Sequence, residues 1–307
     1  MITRFFNTAK PIHFVIISAF TLIVFVLNSL ANIEPGYKGN LIFTEIGKYM
    51  IVLSSIFVFD FLVRKNKLSK RNGYEILIFS LLLAILPITM TISKILVANF
   101  FVLLALRRII SLRSNLSIKK KLFDAAFWIA IASIFYFWAV LFFILIIVAL
   151  ILYSISDFKN WIIPFMAILV VVLVSISYSL IVQDSFNGWS NYIDEASSNF
   201  TNFNDNSIIF SISVLAILSF WALIIYVLNL KKRQKAYRPS NILVLTAFLI
   251  GVSIIVVSPN KNGSEFLFMF PALAIIISNY LEVIKERWIA EIYVWTLILT
   301  PVIALML

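Results

Sequence analysis

The stretch YEILIFSLLLAILPITMTISKILVANFFVLLAL (74–106) decides the fold. It is 33 residues long, apolar almost throughout, and basic on both flanks. RKNKLSKRNG (64–73) precedes it with five Lys and Arg, and RRIISLRSNLSIKKK (107–121) follows it with six. Linkers rich in Lys and Arg stay on the cytoplasmic side of a membrane, because those residues resist translocation. Both flanks therefore lie on one side, and the stretch crosses an even number of times. The sequence predicts a hairpin there instead of one long helix. Two full crossings need roughly 60 Å, whereas 33 helical residues reach only about 50 Å. The two helices are thus expected to be short, with Pro87 and the TISK run (91–94) forming the turn.

The same parity argument works outward along the chain. The stretch 122–154 has a basic flank before it, and its turn is expected near Tyr136–Trp138. A single crossing there would put the acidic linker 183–206 inside and KKRQKAYRPS (231–240) outside, against the charge rule for both. The other apolar stretches are Pro11–Ala31, 41–63, 161–182, 207–230, 241–258, 266–284 and 288–307. Arg4 and Lys10 precede the first, which reads as an uncleaved signal-anchor. The expectation is an all-α polytopic bundle of ten or eleven transmembrane helices in a single domain (1–307). Its N-terminus is cytoplasmic and its C-terminus non-cytoplasmic. On this map every Lys and Arg except Lys38, Lys48, Lys94 and Lys261 is cytoplasmic.

Composition agrees. Of 307 residues 62% are hydrophobic and 13% charged, and the mean hydropathy is +1.04. A soluble domain is roughly 45–50% apolar and about 25% charged. The net charge of +11 resides mainly in short linkers, so it reports membrane topology and not nucleic-acid binding. With no Cys there is no thiolate chemistry, and the single His13 excludes a multi-histidine metal centre. No glycine-rich phosphate loop, zinc helix or GxSxG elbow is present.

Ionisable residues at span ends are the functional candidates. Asp60, Glu75, Asp124, Asp157, Glu282 and Glu286 lie near cytoplasmic Lys or Arg, and interfacial pairing accounts for them. On the outer side Glu45 and Lys48 are three apart and suit an ion pair. Glu34, in ANIEPGYKGN, is a general base, a metal ligand or part of a polar turn. Lys94 lies in the first hairpin turn. In SPNKNGSEFLFMFPALAIIISNYLE (258–282), Lys261 and Glu265 sit at a helix mouth. A lysine there holds a lipid phosphate or snorkels to the interface. In linker 183–206, Trp189, Tyr192, Phe200 and Phe203 suit a membrane-surface segment or a sugar or peptide site.

The layout resembles the integral-membrane glycosyltransferases that use polyprenyl-phosphate-linked sugars, the GT-C class. An acidic residue just outside the first span, two consecutive short hairpins and the PNKNGSEFLFMFPALAIIISNYLE turn-and-helix carry the likeness. The chain is also similar to multi-pass proteins of Bacteroidota-type bacteria, which implies a cytoplasmic (inner) membrane. The GT-C resemblance implies Glu34 as base or as ligand to a divalent metal, with Lys261, Lys94 and Glu265 around the lipid phosphate. It implies a polyprenyl-phosphate lipid as partner and no nucleic acid. The sequence departs from the class in its first outer loop, which is about ten residues long and offers no acidic pair. A non-enzymatic scaffold with envelope protein partners and a lipid flippase are the competing readings.

Overall fold

A computed structural model describes residues 2–31, 40–155, 157–184, 195–259 and 261–307. Its regular structure is helical throughout, with no strand among the described residues. In chain order the helices are α1 (Ile2–Phe6), α2 (Pro11–Ala31), α3 (Asn40–Asn66), α4 (Tyr74–Ile85), α5 (Ser93–Ile110) and α6 (Ile118–Phe135). They continue as α7 (Phe143–Leu152), α8 (Phe158–Gln183), α9 (Asn206–Leu230), α10 (Arg238–Val257), α11 (Phe270–Val283) and α12 (Arg287–Ala304). Seven of the described helices are long and apolar enough to cross a membrane: α2, α3, α5, α8, α9, α10 and α12. This is a membrane protein.

The other large helices fall short for physical reasons. At 1.5 Å per residue, α4, α7 and α11 are about 18, 15 and 21 Å long, against a hydrocarbon core of about 30 Å. The first two turns of helix α6 carry Lys119, Lys120, Lys121 and Asp124. Both long apolar stretches do break. The first breaks at Leu86 (φ −124°, ψ 78°), because the following Pro87 disfavours helical backbone before it. A 3-10 turn, Pro87–Met90, leads to extended Ile92 and then α5. The second breaks at Tyr136, which is extended (φ −147°, ψ 107°) and starts the 3-10 segment Phe137–Phe142.

Contacts sort the segments into two ends. At one end gather the basic linkers. Glu282 accepts from Ser69 Oγ (2.7 Å), Lys70 N (2.7 Å) and Asn72 Nδ2 (2.6 Å), tying linker 64–73 to the end of α11. Arg113 donates to the Asn66 carbonyl (3.2 Å) and stacks over Tyr237 at 4.1 Å. Tyr153 Oη lies 3.3 Å from the Ile110 carbonyl and 3.1 Å from Ser240 Oγ. Thr3 Oγ1 donates to Glu291 (2.6 Å), which joins α1 to α12. At the other end meet the apices of the broken segments. Asn28, in the last turn of α2, donates to the Pro87 carbonyl (3.3 Å). Tyr136 stacks on Phe268 with ring centroids 5.2 Å apart.

The antiparallel pair α4 and α11 forms the centre, with α2, α3, α9, α10 and α12 around it. All twelve residues of α4 are buried, as are the first twelve of α11. In lipid, apolarity does not separate a buried face from an exposed one, so polar and small residues do. Glu75, Ser80, Ser278 and Asn279 leave lipid for this centre. The helices α5 and α6 pack side by side, and α8 leans on α6 with its other face exposed.

Close approach fixes the α10–apex crossing at Gly251. A β-carbon there would stand 2.6 Å from Met269 Cα, so backbone would have to move. Gly251→Ala is expected to lower stability in detergent by about 1–3 kcal/mol through overpacking. Gly47→Ala, with nothing within 4 Å of its added carbon, is expected to be neutral or stabilising by up to about 1 kcal/mol. Thermal or chaotrope unfolding of the two variants beside the parent checks both.

Candidate functional site

The end opposite the basic linkers holds Lys261 and Glu265. Residues 258–259 and 261–269 lie between α10 and α11. Gly263 takes a left-handed backbone (φ 94°) and lies against Ile88 of the first apex. The 3-10 segment Ser264–Phe268 then leads to Pro271 in the first turn of α11, where its missing N–H costs nothing. Lys261 and Glu265 are both only 1% exposed. Bare ions in such a place would be prohibitive, so each needs partners.

Ser258 supplies the link. Its carbonyl accepts from Lys261 Nζ (3.0 Å), and its hydroxyl donates to Glu265 Oε1 (3.0 Å). Tyr136 Oη donates to Ser258 Oγ (2.9 Å), so the second apex joins the network. Glu265 Oε2 accepts from the Gly263 amide (3.0 Å). Lys261 Nζ also donates to the Ser197 carbonyl and stands 4.5 Å from the centre of the Phe200 ring. Burial outweighs these hydrogen bonds and pushes the Glu265 carboxyl above its ordinary range.

The linker whose aromatic residues suit a membrane-surface segment or a sugar or peptide site thus closes over this network where it is described. Phe203 meets Phe266 edge-on at 6.2 Å, and Phe200 packs on Phe203 at 6.2 Å. Trp189 and Tyr192 lie outside the described residues. So does Glu34, the candidate base. Lys94 opens α5 beside the first apex, and its side chain is exposed. Lys261 and Glu265 are therefore brought together, and Lys94 stands on the rim of the same end. Among the described residues no group of three His, Asp or Glu side chains stands ready to hold a metal ion.

The remaining acidic candidates divide. Glu45 pairs with Lys48 at 2.6 Å and accepts from Ser29 Oγ at 2.9 Å. Asp60 pairs with Arg64 at 2.7 Å, and Asp124 with Arg108 at 2.9 Å. Glu282 instead accepts hydrogen bonds from linker 64–73.

Glu75 departs from the interfacial expectation. It is fully buried, and among the described residues its only cation is Arg64, 3.9 Å away and already paired with Asp60. Neither Glu75 oxygen has a hydrogen-bond partner among the described residues. The same holds for both ring nitrogens of buried His13, which packs on Phe5 and Phe6 at 4.7 Å beside Gly73. Two buried titratable groups, Glu75 and His13, without hydrogen-bond partners among the described residues were not expected from sequence. For Glu75 the signal was a carboxylate in the first turn of a helix with no polar stripe, which marks a helix buried on all sides.

The Ser258 link is testable. Ser258→Ala removes the hydroxyl between Tyr136 and Glu265 and leaves a buried carboxylate oxygen short of a donor. It is expected to cost about 1–3 kcal/mol, and Tyr136→Phe about 0.5–1.5 kcal/mol. Lys94→Ala, at an exposed position, is expected to leave unfolding unchanged. Unfolding midpoints in one detergent measure all three.

No curated protein and no solved structure matches the chain. The family of unknown function DUF6427 matches over residues 12–306, nearly the whole length, and the chain belongs to that family.

Proposed function

We propose that this protein binds a polyprenyl-phosphate lipid at the non-cytoplasmic end of the bundle and transfers a sugar from it, as a GT-C-like enzyme of the cytoplasmic membrane. The observation that carries the reading is the meeting of three interrupted segments, 86–92, 136–142 and 258–269, at the end away from the basic linkers. Irregular backbone at membrane depth is tolerated where protein covers it or where it borders a cavity, which is how membrane enzymes build sites within the bilayer. Lys94 on the rim and Lys261 beneath it give that end positive charge suited to a phosphate.

In this reading the chain makes eleven crossings, four of them through the short or charged helices α4, α6, α7 and α11. The basic linkers are cytoplasmic, the N-terminus is inside and the C-terminus outside. Glu34 takes the proton of an acceptor hydroxyl as that oxygen bonds to the sugar's anomeric carbon. The bond from that carbon to the phosphate oxygen breaks, and the lipid phosphate leaves with its new charge neutralised by lysine.

One observation favours a second reading. Lys261 and Glu265 already spend their hydrogen bonds on Ser258, Ser197 and Gly263. A network satisfied in this way also suits a non-catalytic scaffold within an envelope complex.

Transfer of radiolabelled sugar from polyprenyl phosphate by the purified protein in vesicles separates the two. The enzyme reading expects Glu34→Gln to lose at least about a hundredfold in rate, the scale of a general base. It expects Lys94→Ala to raise KM, with unchanged unfolding in both variants. No turnover by the parent, together with stable copurification of another envelope protein, would favour the scaffold.

A further inference from the structure

A second feature lies on the opposite half of the bundle and does not depend on the reading above. An apolar groove of about 570 Å³ runs along the outside of the bundle between α9 and α12, lined by Ala216, Ile217, Phe220, Trp221 and Tyr293. Toward the basic-linker end a narrow cleft lies between α9 and α11, lined by Asn229, Arg233, Asn279 and Tyr280 among others. One hydrogen bond joins the two, since Trp221 Nε1 donates to Tyr280 Oη at 2.8 Å. The rings of Tyr280 and Tyr293 sit 5.1 Å apart and continue the wall.

The polar groups along this path are graded by depth. Tyr280 is 3% exposed, and its oxygen accepts from Trp221. Its own O–H proton has no acceptor among the described residues. At the foot stands Arg233. Its Nη2 donates to Asn279 Oδ1, and Asn279 is anchored in turn by donating to the carbonyls of Leu68 (3.0 Å) and Ile275 (2.8 Å). Among the described residues no carboxylate lies within ion-pair distance of Arg233. The guanidinium is held in place, half-exposed and without a counter-charge. Nine residues of α9 run from Trp221 to the helix end at Leu230, about 13.5 Å along the axis, and Arg233 stands three residues beyond that end, so the path is close to the ~15 Å depth of one hydrocarbon leaflet.

We infer that the α9–α11–α12 surface binds an anionic glycerophospholipid of the leaflet at the basic-linker end. Its phosphate sits on Arg233, an ester carbonyl accepts from Tyr280, and an acyl chain lies in the groove over Trp221. Charge complementarity selects the occupant. An apolar slot takes any acyl chain, but a pre-positioned guanidinium lacking a carboxylate selects a net negative headgroup.

The test uses the full chain in phosphatidylcholine nanodiscs carrying a trace of spin-labelled phosphatidylglycerol or spin-labelled phosphatidylcholine. The immobilised fraction of each label gives their relative association. The parent is expected to hold phosphatidylglycerol more tightly than phosphatidylcholine. Arg233→Gln is expected to lower phosphatidylglycerol association roughly tenfold or more, the scale of one charge-assisted hydrogen bond. Lys235→Gln removes the same charge from the same linker and is expected to change it less than about twofold, by screening. Tyr280→Phe is expected to weaken both lipids several-fold, since both carry the ester; it carries the test if Arg233→Gln fails to fold. Equal association of the two lipids in the parent would overturn the proposal, as would equal effects of Arg233→Gln and Lys235→Gln.

Discussion

The energetic cost of moving lysine and arginine through hydrocarbon shapes this chain. Each costs about 2.5–3.5 kcal/mol at mid-bilayer on insertion scales. Linker 64–73 carries five such residues and linker 107–121 carries six. Holding one such linker back therefore saves on the order of 15 kcal/mol. Interrupting a helix costs far less, about 3 kcal/mol even for an interior proline. A 33-residue apolar stretch between two such linkers consequently folds back on itself. The basic linkers gather at one end, and the apices gather at the other.

The fold-back leaves irregular backbone at the apices, which must find partners within the protein where it is buried. The protein answers by stacking the apices on one another. Tyr136, Ser258, Glu265, Lys261 and the Ser197 carbonyl form one hydrogen-bonded run across three segments distant in sequence. A polar run of this kind specifies register, because a shift of one helical position would leave a buried charge without its partner. The arrangement explains why Lys261 and Glu265 are so completely buried.

Much of this was legible in the residues. Pro87 marks the first break by a local steric rule, and the observed turn begins there. Parity alone requires the second break, which is expected near Tyr136–Trp138 although no Gly or Pro marks it. It falls at Tyr136, whose hydroxyl and ring are captured by Ser258 and Phe268. Tertiary contact set that position, so local pattern had no access to its cause. The number of long crossing helices was less legible, because α4, α7 and α11 are shorter than a bilayer and α6 begins with charges. Lys261 and Glu265 stand together at a helix mouth in the sequence, and in the structure both bond to Ser258. Their depth was not visible, because it comes from the 195–203 segment folding over them. The pairing of Glu75 failed for a related reason. Its neighbours in sequence are basic, but it stands in the first turn of α4, whose twelve residues are all buried.

Side-specific labelling of single cysteines tests the parity account most directly, and the cysteine-free chain makes it clean. Lys65→Cys, Lys120→Cys and Lys232→Cys sample the three basic linkers, and Lys94→Cys samples the first apex; all four positions are exposed. In right-side-out vesicles a membrane-impermeant maleimide should reach position 94 and miss positions 65, 120 and 232 until the vesicles are opened. Labelling of position 94 only from the side that labels 65 and 120, or labelling of 65 and 120 from opposite sides, would contradict the account.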